Sequence, residues 1–163
     1  MIRKLHHNAY RCRDSEETRR FYEDFLGLPL VATLELSESM TGRTTHTLHT
    51  FYRLDDGSHL AFFEAMEMPF EFKRQHDYDL HITLEVGGEA LQPMLRKGRE
   101  QGIEVRGPSD HGMIDSIYFR DPNGYVIELC AKRADHDALM DPAGNGARDT
   151  LRRWTAAKSG TAG

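Results

Sequence analysis

Along the chain, segments with an apolar period of two alternate with segments of helical period, and the whole alternation occurs twice. Residues 5–12 (LHHNAYRC) read as a strand. Asp14 follows in the position of an N-cap, with Glu17 at the spacing of a capping box. The helix SEETRRFYEDFL carries Phe21, Phe25 and Leu26 on one stripe, and Gly27 closes it. Strands are predicted near 28–36, 45–54 and 59–65, with LDDGS at 54–58 as a hairpin turn.

The order then restarts. Residues 79–86 (DLHITLEV) read as a strand, and GGEALQPMLRKGREQG as a helix with Pro93 in its early part and Gly102 at its end. Short strands follow near 103–106, 114–120 and 125–131. Strand, helix, three strands thus recurs at a spacing of about 75 residues, although the residues themselves differ. A module of that size cannot bury a core alone. Module one (about 1–66) and module two (about 78–131) are therefore expected to pair as one α+β domain over 1–134. Residues 66–77 join them, and 135–163 form a C-terminal tail with a short helix through ARDTLRRWTAAK, Leu151 and Trp154 on one side.

Composition narrows the function without naming it. The formal net charge is -5 and no run is strongly basic, which argues against nucleic acid as a partner. No apolar stretch approaches the roughly 18 residues needed to span a bilayer, so no membrane role is expected. The N-terminal segment lacks the apolar run of a signal peptide. Cys12 and Cys130 stand far apart without a CxxC pattern, as expected of buried strand residues in a reducing, cytoplasmic setting.

The strand alternation picks out candidate chemistry. In the first strand His7, Ala9 and Arg11 point one way, and His6, Asn8, Tyr10 and Cys12 the other. In the strand that opens module two, Leu80, Ile82, Leu84 and Val86 form the helix-packing face, so His81, Thr83 and Glu85 lie on the opposite one. His7 holds the matching place in module one, and a pseudo-twofold would let the two histidines meet across the interior. Alone, each would read as a structural or surface residue; the matched placement is what points to a site.

Glu128 sits in the apolar strand YVIELC. Burying a carboxylate there is costly unless it pairs, either with a metal ion or with an arginine such as Arg11. The preceding DPNG (121–124) suits a type I turn followed by Gly124 in the left-handed region. That loop pairs Asp121 with Tyr125 and therefore Tyr118 with Glu128, on one face. His46 and His49 are three apart in a strand, so they face opposite sides and cannot share a metal. His6, His46, His49, His76 and His136 all read as structural or solvated.

HHNAYRCRDSEETRRFYEDFLGLPL, DLHITLEV and IYFRDPNGYVIELC resemble the recurring segments of the vicinal oxygen chelate superfamily, over roughly residues 5–131. The resemblance implies two paired βαβββ modules that form a cupped mixed sheet around a divalent metal. His7, His81 and Glu128 are the ligands it implies here. Glyoxalase I relatives add a carboxylate from the fourth strand of module one. The corresponding position is Ala61, and Glu64 should face the other way. Two histidines and one carboxylate remain, the set typical of non-haem Fe(II) oxygenases.

The run from His111 through Tyr118 and DPNG to Glu128 is similar to the signature of type I extradiol ring-cleaving dioxygenases, with Ser109 a departure from it. GSHLAFFE looks like the family segment that bears the acid–base histidine, which would be His59. The resemblance thus implies cleavage of a catechol-type substrate by O2 on Fe(II). His59 would accept and return a proton, and His111 and Tyr118 would hydrogen-bond the substrate oxygens. Phe63 and residues of MEMPFEF would wall the ring. A homodimer is implied as well. The alternatives are a lyase, isomerase or thiol transferase of the same superfamily using Mn, Ni or Zn, and a drug-sequestering binding protein.

Overall fold

Asp14 ends the first extended segment and starts the first helix, its carboxylate accepting the Glu17 N–H at 2.7 Å. The Glu17 carboxylate pairs with Arg13 instead of closing a capping box. Helix α1 (Ser15–Arg19) continues as a π-helical turn over Arg20–Phe25. The wider turn shifts the inward stripe: Phe21, Tyr22 and Phe25 are buried, while Leu26 is only partly so. The computed structural model describes residues 1–38, 42 and 44–160.

The repeated order read from the pattern is the observed one. Strands β1 (Tyr10–Arg11), β2 (Leu30–Glu38), β3 (Thr44–Arg53) and β4 (His59–Ala65) form a sheet in the order β1-β4-β3-β2. After it, β5 (Ile82–Glu85), helix α2 (Gly88–Glu100), β6 (Val105–Asp110), β7 (Ile114–Arg120) and β8 (Val126–Lys132) give a second sheet, β5-β8-β7-β6. In each sheet the first strand runs parallel to the last and the remaining pairs are antiparallel. The two first strands are shorter than their apolar alternation suggests. Each is an edge with one neighbour. His7 keeps only an isolated bridge to His59, and His81 precedes β5.

The two halves join through the faces that carry the helices. Phe25 meets Phe119 edge-on at 5.1 Å, and Lys97 donates to the Phe25 carbonyl at 2.6 Å. The Tyr22 hydroxyl reaches Asp121 at 3.0 Å, and the Tyr125 hydroxyl the Arg11 carbonyl at 2.8 Å. Phe70 and Phe72 pack on Tyr125. The MEMPFEF segment therefore seals the core behind the β7–β8 turn, and its phenylalanines do not wall a substrate. Cys12 and Cys130 are buried and free.

Among the described residues, no strand of one sheet pairs with a strand of the other. The sheet faces turned away from the helices stay open, and Leu34 and Leu36 of β2 are exposed there, opposite His49 and Thr47 of β3. The tail forms α3 (His136–Leu139) and α4 (Ala147–Gly160), with Leu151 and Trp154 exposed. No helix of the described residues is long and apolar enough to cross a membrane.

Candidate metal and substrate site

The β7–β8 turn sets the geometry of the second half. Gly124 has φ +100 and donates to the Asp121 carbonyl at 3.0 Å, while Asp121 N–H donates to the Tyr125 carbonyl at 2.9 Å. The Asp121 carboxylate accepts from Asn123 N–H (2.9 Å), Tyr125 N–H (2.8 Å), the Tyr22 hydroxyl (3.0 Å) and Asn123 Nδ2 (3.0 Å). Burial pushes this carboxyl above the usual range even so. The resulting register pairs Tyr118 with Glu128, as the turn residues imply.

Glu128 is 5% exposed, and its partners are all on the helix-free face. The Thr83 hydroxyl donates to Oε2 at 2.9 Å, the Tyr118 hydroxyl to Oε1 at 3.2 Å, and His81 Nε2 lies 3.5 Å from Oε2. Arg11, the alternative partner, donates to the Met68 carbonyl instead. His111 Nε2 is 2.6 Å from the Tyr118 oxygen. Because that hydroxyl gives its hydrogen to Glu128, His111 Nε2 is the donor. Burial, followed by the charge of Glu128, raises the Tyr118 phenol above its ordinary value.

Two further residues, Arg106 and Asp77, escaped the sequence reading. The Arg106 guanidinium lies 4.6 Å over the Tyr118 ring and donates to Asp77 Oδ2 at 3.2 Å. The Asp77 carbonyl accepts from His81 Nδ1 at 2.9 Å. Contacts therefore run from His81 through Asp77, Arg106, Tyr118 and Glu128 back to His81. A carbonyl only accepts, so His81 Nδ1 carries the hydrogen, and in the neutral ring Nε2 presents a lone pair toward Glu128. No sequence motif marks Asp77 or Arg106; a cation over an aromatic ring is visible only once β6 and β7 are paired.

On the first sheet, His7 is exposed and His59 partly so. His59, Ala61 and Phe63 share a face with Arg53, Phe51 and His49, their partners on β3. Glu64 points to the helix side and accepts the Ser15 N–H at 2.7 Å, so Ala61 leaves that face without a carboxylate from β4, as expected. His6 departs from expectation. Its Nδ1 is 2.8 Å from His7 Nδ1, because residues 5–9 are not in a strand and do not alternate. His59 Nδ1 lies 3.3 Å from the His6 carbonyl. Partial desolvation of its ring, then the neighbouring His6, His49 and His59, lowers the His7 imidazole below its ordinary value, although the residue as a whole is exposed. His46 faces away and pairs with Glu67.

The structure thus brings His81, Glu128, Tyr118 and His111 together on one sheet, and His7 and His59 together on the other. Within one chain it does not bring His7 to His81 and Glu128. Among the described residues, no three His, Cys, Asp or Glu side chains gather as a metal-holding group. The pseudo-twofold meeting across the interior fails because the modules join by their helix-bearing faces. A free His81 Nε2 beside a buried Glu128 suits two ligands of a divalent metal, with the open side left for a third.

The family model described as Glyoxalase/Bleomycin resistance protein/Dioxygenase superfamily matches residues 4–129. The lactoylglutathione lyase of Neisseria meningitidis serogroup A is 28% identical over 143 residues, covering 83% of this chain and 96% of that one. The biphenyl-2,3-diol 1,2-dioxygenase 3 of Rhodococcus globerulus is 40% identical over 48 residues, 29% of this chain and 25% of that one. The fosfomycin resistance protein FosX from Listeria monocytogenes, solved with Mn(II) and sulfate, superposes with a TM-score of 0.62 at 18% identity, covering 85% of this chain and 99% of that one. The two mixed four-stranded sheets are the fold of these neighbours.

Proposed function

Because the chain belongs to the glyoxalase/bleomycin resistance protein/dioxygenase superfamily, we propose that it is an Fe(II)-dependent extradiol dioxygenase acting on a catechol-type substrate with O2. The observation that carries this reading is the His111–Tyr118–Glu128 chain of hydrogen bonds, at 2.6 and 3.2 Å, on the same face as His81. Donors so placed beside a ligand carboxylate can exchange these bonds for bonds to substrate oxygens and stabilise charge that develops on them.

His81 and Glu128 would hold the metal, with His7 as the third ligand. A bound divalent ion would lower the pKa of hydroxyls that it contacts. The rest falls to this chain's own residues. Tyr118 orients one oxygen of Glu128, and Thr83 the other. His111 positions the phenol of Tyr118. His59, with Nδ1 toward the His6 carbonyl, presents Nε2 as a proton acceptor across the site.

His7 lies on the open face of the first sheet, apart from His81 and Glu128. A second copy that covers that face would bring its own second-sheet ligands to His7 and bury Leu34 and Leu36. The proposed enzyme is therefore a homodimer with sites shared between subunits.

A second reading has its own support. The similarity to a lactoylglutathione lyase extends over most of both chains, whereas the dioxygenase similarity covers less than a third of this one. Oxygen uptake by anaerobically Fe(II)-reconstituted protein, given a panel of catechols that includes 2,3-dihydroxybiphenyl, decides between them. Uptake with a yellow ring-fission product, absent in metal-free protein, supports the dioxygenase. No uptake with ferrous iron bound, together with lactoylglutathione lyase activity on Ni, Mn or Zn, establishes the second reading.

A further inference from the structure

His49 has no part in the ligand set, yet its surroundings are those of a residue held ready for a ligand. It stands on β3 opposite Phe63, on the face that carries His59. Its ring stacks on that of Phe63 at 3.7 Å and 10°, and lies 4.2 Å from Phe51 and 5.9 Å from His7 between centroids. The residue is 6% exposed. Its Nδ1 lies 2.9 Å from the Phe62 carbonyl oxygen. That oxygen can only accept, so Nδ1 carries the hydrogen and the neutral ring has a bare Nε2. Among the described residues, no donor is hydrogen-bonded to that nitrogen.

A phenylalanine would satisfy the stack on Phe63 and fill the same space without presenting an acceptor. Nε2 is not among the buried polar atoms that lack a partner, so it reaches solvent, and a ligand hydroxyl can take the place of water on it. The stack and the Phe62 carbonyl hold the ring in one orientation, so little side-chain freedom remains to be lost when a ligand arrives.

We infer that His49 is a further substrate-contacting residue, whose Nε2 accepts a hydrogen bond from a hydroxyl of the ligand bound beside His7. The inference rests on the chelating-site reading above. It names a class of ligand: one that keeps an O–H next to its metal-binding oxygens, such as a vicinal diol or a singly ionised catechol. A chelator with only acceptor oxygens, such as a dicarboxylate, gains nothing from His49.

The test uses full-length protein reconstituted anaerobically with Fe(II), and two probes: 4-nitrocatechol, followed by its absorption spectrum, and oxalate, followed by its competition with 4-nitrocatechol. His49→Phe keeps the stack and removes the acceptor. His49→Gln offers an amide oxygen in its place. The expected result is an affinity for 4-nitrocatechol that falls about tenfold in His49→Phe and is largely recovered in His49→Gln. Oxalate affinity, obtained after correction for the 4-nitrocatechol affinity of each variant, stays within about twofold throughout, and iron content is unchanged. Equal affinity of wild type and His49→Phe for 4-nitrocatechol overturns the inference. So does a parallel loss of oxalate binding, or a loss of iron, which would make His49 a ligand instead. If iron-loaded wild type binds neither probe, the chelating-site reading itself fails, and the role of His49 with it.

Discussion

The Tyr118 hydroxyl donates to Glu128 Oε1 at 3.2 Å, across the β7–β8 pair that the DPNG turn puts in register. Tyr118→Phe removes that donor and breaks the link to His111 while leaving the ring under Arg106. Turnover is expected to fall about tenfold to a hundredfold, with metal content unchanged after reconstitution under saturating metal. Steady-state kinetics and metal analysis on the same preparation check this. An unchanged rate would remove Tyr118 from the chemistry.

The other oxygen of Glu128 depends on Thr83, at 2.9 Å. Thr83→Val keeps the shape of the β5 side chain and deletes the hydroxyl. Apparent metal affinity is expected to drop about tenfold or more, because the carboxylate loses the bond that aims it. Titration against a competing chelator measures the change.

Asp121 gives the fold a pH dependence of predictable sign. Its carboxyl is raised above 3.8 by burial, so the folded state binds its proton more tightly than the unfolded state does. Stability from this group therefore falls as pH rises from the ordinary carboxylate range through the raised value, and is level beyond it. Asp121→Asn cannot titrate and should flatten that part of the profile. It should also cost about 1–3 kcal/mol, since an amide N–H then faces donors that the carboxylate oxygens accept from. Urea unfolding of both proteins across that range checks both parts.

Much of this was legible in residues. Asp14, Gly27, LDDGS and DPNG mark the ends of elements by local backbone chemistry, and the observed elements begin and end beside them. The pairing of Tyr118 with Glu128, and the opposite direction of Glu64, follow from a period of two that both strands obey. His6 and the shortened first strands did not follow, because alternation holds only where a ladder exists. Arg106, Asp77 and His49 had no local signature, since their roles arise from contacts between elements. The separation of His7 from His81 was hidden too. A matched pair of apolar faces says that two modules pack, and not which faces meet.

The composite site can be tested by complementation. His7→Ala and Glu128→Ala protomers, differently tagged, are co-expressed, and the mixed dimers are compared with each parent for bound metal and for activity. In a mixed dimer one site carries both substitutions and the other carries neither. A site shared between subunits therefore restores about a quarter of the wild-type metal content in a random mixture, and about half in purified mixed dimers, although neither parent holds metal. Mixed dimers as empty as their parents would contradict a centre built from His7 of one copy and His81 and Glu128 of the other.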